Sequence, residues 1–179
     1  HDIVAESWEL SAHSAGQSRI ASGRYKGLKF GEYLDIIGKE NLGWKAQDYE
    51  RFPLLIKFID AKENLSVQVH PDDEYAFPNE GDYGKNEMWY ILGADKDAYI
   101  YMGFNKDVTK EEVRARLKNN TILDVLNKVP VKKGETYFLK ARTVHAIGAG
   151  CLVCEIQQSS NVTYRMYDYG RTGYRGKPR

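Results

Sequence analysis

Residues 65–73, Leu-Ser-Val-Gln-Val-His-Pro-Asp-Asp, alternate between apolar and polar side chains as far as the histidine and then break at a proline. A period of two predicts a β-strand, in which successive side chains leave opposite faces. Gln68 and His70 therefore share one face, and Val67 and Val69 share the other. An amide or imidazole on the interior face costs on the order of 1–3 kcal/mol if it has no partner. The strand thus predicts a polar partner or a ligand in the interior.

Short strands also make up most of the surrounding sequence. Apolar or alternating runs predict further strands over 52–58, 87–92, 98–102, 136–139, 143–147, 152–157 and 162–166. Helical spacing predicts a short helix over 30–37, and Thr109 with Glu112 forms a capping box that opens a helix toward residue 119. One or two further helical turns are predicted over 121–127. We expect a mainly β fold, an antiparallel barrel or sandwich with a small helical insertion at about 109–127.

Composition limits the classes of partner. The chain has 179 residues, 42% of them hydrophobic and 28% charged, with 26 basic against 25 acidic side chains. This length suits one domain, and a net charge of +1 gives no global field for nucleic acid or an anionic membrane. No apolar run approaches the roughly 18 residues that span a bilayer, and no signal-peptide pattern is present. An anionic ligand would have to be bound by local groups.

The two cysteines, Cys151 and Cys154, form an isolated C-x-x-C in an apolar stretch. A structural zinc site needs about four ligands, and residues three apart on a strand face opposite sides, which also disfavours a disulfide. We therefore expect two free thiols, which suit a reducing cytoplasm.

The start at His1 and the basic run over 171–179 have no packing pattern, so we expect a single domain, 1–179, that is part of a longer protein.

A second set of polar side chains has the spacing of metal ligands. Lys85 and Glu87 lie two apart at the start of an aromatic-rich strand, and His145 lies in an apolar one. Each has an ordinary interpretation, since a single histidine can be a hydrogen-bonded core residue and Glu87 can mark the wet end of its strand. Together with Gln68 and His70 they would offer two nitrogens and two oxygens, which suit Zn²⁺ first, and Mn²⁺, Fe²⁺ or Co²⁺ otherwise.

The segment before His145 has the spacing of the second cupin motif, G-x5-P-x-G-x2-H. Gly134 and His145 match it, whereas Lys140 and Arg142 stand where the motif has proline and glycine. Those two positions normally form a tight turn before the ligand-bearing strand, so the geometry of this turn is an open question.

These motifs and several longer stretches resemble type I mannose-6-phosphate isomerase in its short bacterial form, a cupin family. The resemblance covers essentially the whole chain and rests on five segments: 52–61, 65–73, 84–90, 143–147 and 157–171. It implies a cupin fold with one zinc ion bound by Gln68, His70, Glu87 and His145, the same four residues that the spacing indicates.

The resemblance also implies roles outside the metal site. Lys85 and Arg165 correspond to catalytic residues and Ser66 to a substrate-binding residue. An arginine can offer a fork of donors to a phosphate and a lysine a movable point charge. Further substrate-binding residues are implied in the N-terminal segment: Glu6, Trp8 and His13.

The activity that the resemblance implies is the interconversion of mannose 6-phosphate and fructose 6-phosphate by proton transfer between C1 and C2 through an enediol. The base stays open between Lys85, whose pKa burial and zinc would lower, a water on the metal, and a carboxylate, either Glu6 or Glu155 if it faces inward. The alternatives are a non-catalytic cupin that binds a sugar phosphate and another metal-dependent cupin enzyme. We expect a small sugar phosphate as partner, no nucleic acid or membrane, and a monomer or weak homo-oligomer.

Overall fold

The computed structural model describes residues 5–171, which form two five-stranded antiparallel sheets. The first sheet has the order β1-β2-β9-β4-β7. Its strands are β1 (Glu6–Leu10), β2 (Leu54–Ala61), β4 (Glu87–Ala94), β7 (Thr136–Leu139) and β9 (Cys151–Gln158). The second sheet has the order β10-β3-β8-β5-β6. Its strands are β3 (Val67–Val69), β5 (Tyr99–Phe104), β6 (Leu126–Pro130), β8 (His145–Ile147) and β10 (Tyr164–Tyr167).

The expected mainly β, jelly-roll-like antiparallel architecture is confirmed, as two sheets and not as one closed barrel. Alternate residues of the central strands form the core; in β4, Trp89 and Ile91 are fully buried, and Val153 of β9 is equally so. This is the burial expected where one face of an antiparallel sheet packs inward and its strands alternate. Packing in the core holds the two sheets in place, and it therefore also determines the position of each side chain that points into the interior.

Three α-helices decorate the sheets: α1 (Phe30–Ile37), α2 (Asp73–Glu80) and α3 (Lys110–Lys118). Short 3₁₀ helices span Lys39–Leu42, Trp44–Ala46 and Ile122–Val125. Helices α1 and α3 are confirmed, and Thr109 caps α3 through its hydroxyl, which accepts from the Glu112 amide at 3.1 Å. No helix within 5–171 is long and apolar enough to cross a membrane.

Three elements differ from the sequence prediction. β1 and α2 were not predicted, and helical turns were expected through residue 127, whereas β6 already begins at Leu126. Helix α2 begins after Asp72, whose carboxylate accepts from the Tyr75 amide, and ends at Gly81 in the left-handed conformation. The sequence pattern did not predict this helix because Pro78 lies inside it, and proline usually ends a helix. Leu126 starts a strand because its side chain packs in the cluster around Val67.

Candidate metal centre and adjoining pocket

Three predicted ligands meet where the two sheets face each other. His70 directly follows β3, His145 begins β8, and Glu87 begins β4 of the opposite sheet. All three side chains are at most 2% exposed, and one candidate ligand atom from each lies within 4.8 Å of the others. The Nε2 atoms of the histidines are 3.2 Å apart, and they lie 3.2 and 3.3 Å from the two oxygens of Glu87.

The hydrogen bonds of the histidines assign their tautomers. Nδ1 of His70 lies 2.9 Å from the carbonyl oxygen of Val162, and Nδ1 of His145 lies 2.8 Å from that of Thr143. A carbonyl only accepts, so each Nδ1 donates and each Nε2 carries a lone pair. Burial lowers the pKa of both rings, which keeps them neutral. A backbone bond of this kind is what orients histidines that bind metals.

Glu87 completes the set of electron-pair donors. Neither carboxylate oxygen accepts a well-directed hydrogen bond from the described residues, although Lys85 Nζ forms an ion pair with Oε1 at 2.8 Å. Burial alone would raise the pKa of Glu87, but the charge of Lys85, together with the contributions of His70 and His145, outweighs burial and lowers that pKa, so the carboxylate is ionised. Lys85 Nζ also lies 3.3 Å from Nε2 of His70, whereas the lone pair of His145 faces His70 Nε2 and Glu87 Oε2, which are themselves acceptors. Such a group of acceptors is costly in a dry interior unless a cation lies between them. The donors therefore fit a divalent cation.

Gln68 lies beside this group. It is paired in register with His145 across the β3–β8 ladder and with Arg165 across β3–β10. Its half-buried side chain lines the pocket that adjoins the centre. The two-residue spacing that predicted Gln68 and His70 on one face is thus consistent with the structure.

Local contacts explain how Lys85 and Glu87 reach this position. The Lys85 amide donates to the carbonyl oxygen of Pro71 at 2.9 Å, and the Gly84 amide donates to the carboxylate of Asp73 at 2.7 Å. A Cβ on Gly84 would lie 2.4 Å from backbone atoms of Asp72 and Asp73, so only glycine allows this approach. The start of β4 is therefore pressed against the segment that follows His70.

The pocket has a volume of about 400 Å³ and lies next to the metal centre. Five predicted site residues line it: Glu6, Ser66, Gln68, Lys85 and Arg165. The exposed Arg165 donates through Nε to the Ser66 hydroxyl at 3.1 Å, so these two residues form its polar rim. The structure thus brings a lysine, an arginine and a hydroxyl to one cavity beside the candidate cation site.

Trp8 and His13 are not among the lining residues. Trp8 Nε1 donates to Glu6 at 2.9 Å, so it contacts a residue of the pocket. His13 is buried, and its Nε2 lies 3.7 Å from a carboxylate oxygen of Asp82. The structure connects Trp8 with the pocket and places His13 against another element.

The pKa of Lys85 depends on burial and on the carboxylates beside it. Burial lowers the pKa of its ammonium, but the negative charges of Glu87 and then Glu155 outweigh burial and raise it. The expectation of a lowered pKa counts burial and a zinc ion, and it leaves out the two carboxylates, whose positions the sequence does not give. The protein's own charges keep Lys85 protonated, as a cation and a proton donor.

Of the buried charged residues that line the pocket, the sequence predictions omit Lys57 and leave the orientation of Glu155 open. Lys57 and Glu155 are paired in register between β2 and β9, both are buried, and Lys57 Nζ lies 3.4 Å from Glu155 Oε1. Trp89 Nε1 donates to Glu155 at 2.9 Å. Burial, followed by the charge of Glu87, raises the pKa of Glu155. A lysine inside the apolar run 52–58 was a readable signal for Lys57.

The turn before His145 forms without the proline and glycine of the motif. Arg142 adopts φ of 71°, the left-handed conformation that glycine would otherwise supply. Its amide donates to the carbonyl oxygen of His70 at 2.7 Å. The turn is therefore tight, and it is bonded directly to the strand that carries another candidate ligand.

Comparisons with known proteins agree with this geometry. Residues 1–82 match the family model described as phosphomannose isomerase type I, catalytic domain. The mannose-6-phosphate isomerase ManA of Bacillus subtilis (strain 168) is 44% identical over 181 residues, covering 98% of this chain and 55% of the relative. The mannose-6-phosphate isomerase of Streptococcus mutans serotype c is 39% identical, covering 99% of this chain and 55% of the relative.

The fold is shared as well. The crystal structure of the mannose 6-phosphate isomerase from Bacillus subtilis superimposes with a TM-score of 0.88 at 40% identity, covering 98% of this chain and 55% of that one. The chain thus spans about half the length of the relatives it matches.

Proposed function

Because the chain belongs to the type I phosphomannose isomerase family, we propose that it forms the metal-binding, catalytic part of an isomerase that interconverts mannose 6-phosphate and fructose 6-phosphate. One observation carries the proposal. Two neutral imidazoles and an ionised carboxylate, all buried, point their electron pairs at one another beside a pocket whose mixed lining of acidic and basic groups includes Lys85 and Arg165.

The cation is Zn²⁺, one per chain, held by Gln68, His70, Glu87 and His145. Two histidine nitrogens with a carboxylate and an amide oxygen form a four-ligand set that suits zinc. When bound, such a cation polarises substrate oxygens as a Lewis acid. The sugar would reach the cation through the partially open pocket that Gln68 lines.

The basic groups of the pocket bind and orient the sugar phosphate. Arg165 has an exposed fork of donors, and Ser66 Oγ, at 3.1 Å, fixes its Nε. The phosphate accepts from Arg165 and Ser66 at the rim, and Lys85 holds the reacting end with its positive charge. On the substrate-binding side Glu6 lines the pocket and Trp8 donates to Glu6, whereas His13 acts indirectly, since its ring lies edge-on to that of Trp8 at 6.1 Å between centroids.

A proton must move between C1 and C2 of the sugar. A base for this step works best with a pKa near the operating pH. Glu155 has its pKa raised by burial and lies in the pocket wall, so it can take the proton from one of the two carbons and return it to the other. The protonated Lys85 can give a proton to the carbonyl oxygen and regain one from the neighbouring hydroxyl, so both groups end in their starting states. Lys57 stabilises the ionised form of Glu155 before the transfer.

The test is a coupled assay of mannose 6-phosphate isomerisation on the chain, with the Bacillus subtilis ManA protein as positive control. We expect activity that a chelator removes and Zn²⁺ restores, together with about one zinc per chain by elemental analysis. Zinc binding without turnover would favour a non-catalytic sugar-phosphate module, and another native metal would favour a different cupin enzyme. Full activity in the absence of bound metal would overturn the scheme.

Two further predictions concern the protein's state in the cell. We propose a cytoplasmic protein, in line with the free thiols of Cys151 and Cys154. We also propose a monomer or weak homo-oligomer that binds neither nucleic acid nor membranes. Size-exclusion chromatography with light scattering over a range of concentrations tests the oligomeric state.

A further inference from the structure

The turn formed by Lys140, Ala141 and Arg142 contacts both of the other strands that carry candidate ligands. The Ala141 amide donates to the side-chain oxygen of Asn86 at 2.9 Å, and the Arg142 amide donates to the carbonyl of His70 at 2.7 Å. The turn itself closes through the Thr143 amide, which donates to the carbonyl oxygen of Lys140 at 3.1 Å. One short segment is therefore bonded to β4 and to the end of β3.

The side chain of Arg142 adds a second link to the His70 segment. Its guanidinium forms a two-pronged ion pair with Asp72, with Nε 2.6 Å from Oδ2 and Nη2 3.1 Å from Oδ1. Asp72 lies two residues after His70 and caps helix α2. Single exposed ion pairs contribute little, but a two-pronged arginine–carboxylate pair also fixes orientation.

Asn86 provides the corresponding link to Glu87. It lies between Lys85 and Glu87, and its side chain bonds on both sides: Oδ1 accepts from Ala141, and Nδ2 donates to Gln158 Oε1 at 2.6 Å. The Asn86 amide donates to the same Gln158 oxygen at 2.8 Å. These bonds hold the start of β4 between the turn and the end of β9.

The left-handed conformation of Arg142 places the arginine side chain at a strained position. A non-glycine residue at φ of 71° is strained, and glycine would remove that strain. The turn nevertheless carries an arginine, and its guanidinium contacts the segment next to a candidate ligand. Thr143 follows the turn and connects it to His145, because the carbonyl oxygen of Thr143 accepts a hydrogen bond from His145 Nδ1.

We propose that Arg142 and Asn86 are positioning residues of the metal centre, which act through the 140–142 turn to set the relative places of His70, Glu87 and His145. This inference rests on the proposed metal site. Neither side chain contacts the cation position; each fixes the backbone from which a ligand projects. When a residue that hydrogen-bonds and orients a metal ligand is substituted, metal affinity typically falls by about 10–100-fold.

The first test is Arg142→Gly, which keeps the backbone conformation and the amide bond to His70 but removes the guanidinium fork. Asp97→Gly is the matched control, because Asp97 is exposed and has a similar φ of 66°. The measurements are Zn²⁺ affinity by competition with a chromophoric chelator and the visible absorption spectrum of the Co²⁺-loaded chain, which reports ligand geometry. Thermal unfolding of the metal-free chain separates positioning from stability.

We expect Arg142→Gly to weaken Zn²⁺ binding by about tenfold to a hundredfold and to change the Co²⁺ spectrum, whereas Asp97→Gly changes neither. Arg142→Lys keeps the charge without the fork and should recover only part of the affinity. Unchanged affinity and spectrum in Arg142→Gly would overturn the role of the arginine, even if the midpoint of unfolding shifts.

The second test is Asn86→Ala, with Asn105→Ala as control, since the exposed Asn105 also bonds through its side chain to distant parts of the chain, the carbonyls of Asp124 and Leu126, in segments that carry no candidate ligand. We expect the same loss of affinity and altered Co²⁺ spectrum for Asn86→Ala only. If that variant does not fold, the Arg142 series decides the proposal. An unsubstituted chain that binds neither Zn²⁺ nor Co²⁺ would instead overturn the proposed function.

Discussion

The two ends of the pocket are built in opposite ways. At the metal end, His70, Glu87 and His145 are at most 2% exposed, and backbone carbonyls fix both rings. At the rim, Arg165 is exposed and has one side-chain hydrogen bond, to Ser66. A charged side chain in a dry interior interacts strongly with its neighbours and has no room to change position. Water screens the charge of an exposed side chain, which can also change its conformation. Substitutions should therefore have large effects at the metal end and smaller, graded effects at the rim.

The largest effect is expected for Glu87→Gln, which preserves shape and removes the charge. Zinc should be lost, and isomerase activity with it, because a neutral amide cannot replace the carboxylate among buried ligands. Lys85 would also lose its closest partner, and breaking such a buried pair costs about 3–5 kcal/mol. Elemental analysis and calorimetric titration with Zn²⁺ measure the loss.

The control for that substitution is Glu111→Gln on the exposed face of α3, which should keep zinc and activity. His145→Ala should behave like Glu87→Gln. Zinc retained at one equivalent in either ligand variant would place the cation elsewhere.

Gly84→Ala comes next and tests how tightly the metal end is packed. The added Cβ would meet the backbone at Asp72 and Asp73 at 2.4 Å, so one of the two segments must shift. We expect a decrease in the free energy of unfolding of about 1–3 kcal/mol, the usual cost of overpacking, together with weaker zinc binding. Urea denaturation of the metal-free chain measures the first effect.

Gly93→Ala serves as the comparison for Gly84→Ala, because a Cβ there would make only an ordinary contact at 3.6 Å. A Gly84→Ala protein as stable as the unsubstituted chain would show that the 71–73 and 84–85 segments can separate freely.

At the rim, Arg165→Ala should raise KM for mannose 6-phosphate by about tenfold to a hundredfold while zinc content stays the same. This range corresponds to the roughly 1.5–3 kcal/mol of a hydrogen bond to a charged group. Steady-state kinetics at low and high salt give the measurement, and the defect should shrink as salt rises. Arg114→Ala on α3 is the control, and an unchanged KM in Arg165→Ala would make the arginine structural.

The smallest effect is expected for Ser66→Ala. Loss of the hydroxyl leaves Arg165 in place to bind the phosphate, and water can replace the hydroxyl at the open rim, so KM should rise only about two- to tenfold, equivalent to about 0.5–1.5 kcal/mol. Ser14→Ala, at an exposed serine, should be neutral in the same assay. A Ser66→Ala defect as large as that of Glu87→Gln would mean that the two ends of the pocket are not separate.

The sequence predicted elements whose signals are local. Alternation over 65–70 placed Gln68 and His70 on one face, and the capping box at Thr109 gave the start of α3. Motif spacing named His145 and Glu87 as candidate ligands, and burial and geometry now bring them together with His70. These signals can be read because they depend on residues within a turn or a strand of one another.

Pairing between distant strands could not be read in this way. Ligands from residues 70, 87 and 145 meet only because β3, β4 and β8 lie in two facing sheets, and no local pattern encodes that register. The same holds for Lys57 opposite Glu155, and for the carboxylates that keep Lys85 protonated. A pKa depends on charges a few ångströms away in space, which sequence separation does not report.

The sequence by itself thus predicted the class of fold, the candidate donor atoms of the metal centre and the resemblance to a known family. The tertiary structure alone decided which donors face one another, which side chains fix them, and how Arg142 and Asn86 bond the turn to both neighbouring strands. The physical reason is that residue chemistry and local periodicity are properties of the chain. The convergence of distant side chains and the dielectric environment around them instead come from the packing of two sheets around one core.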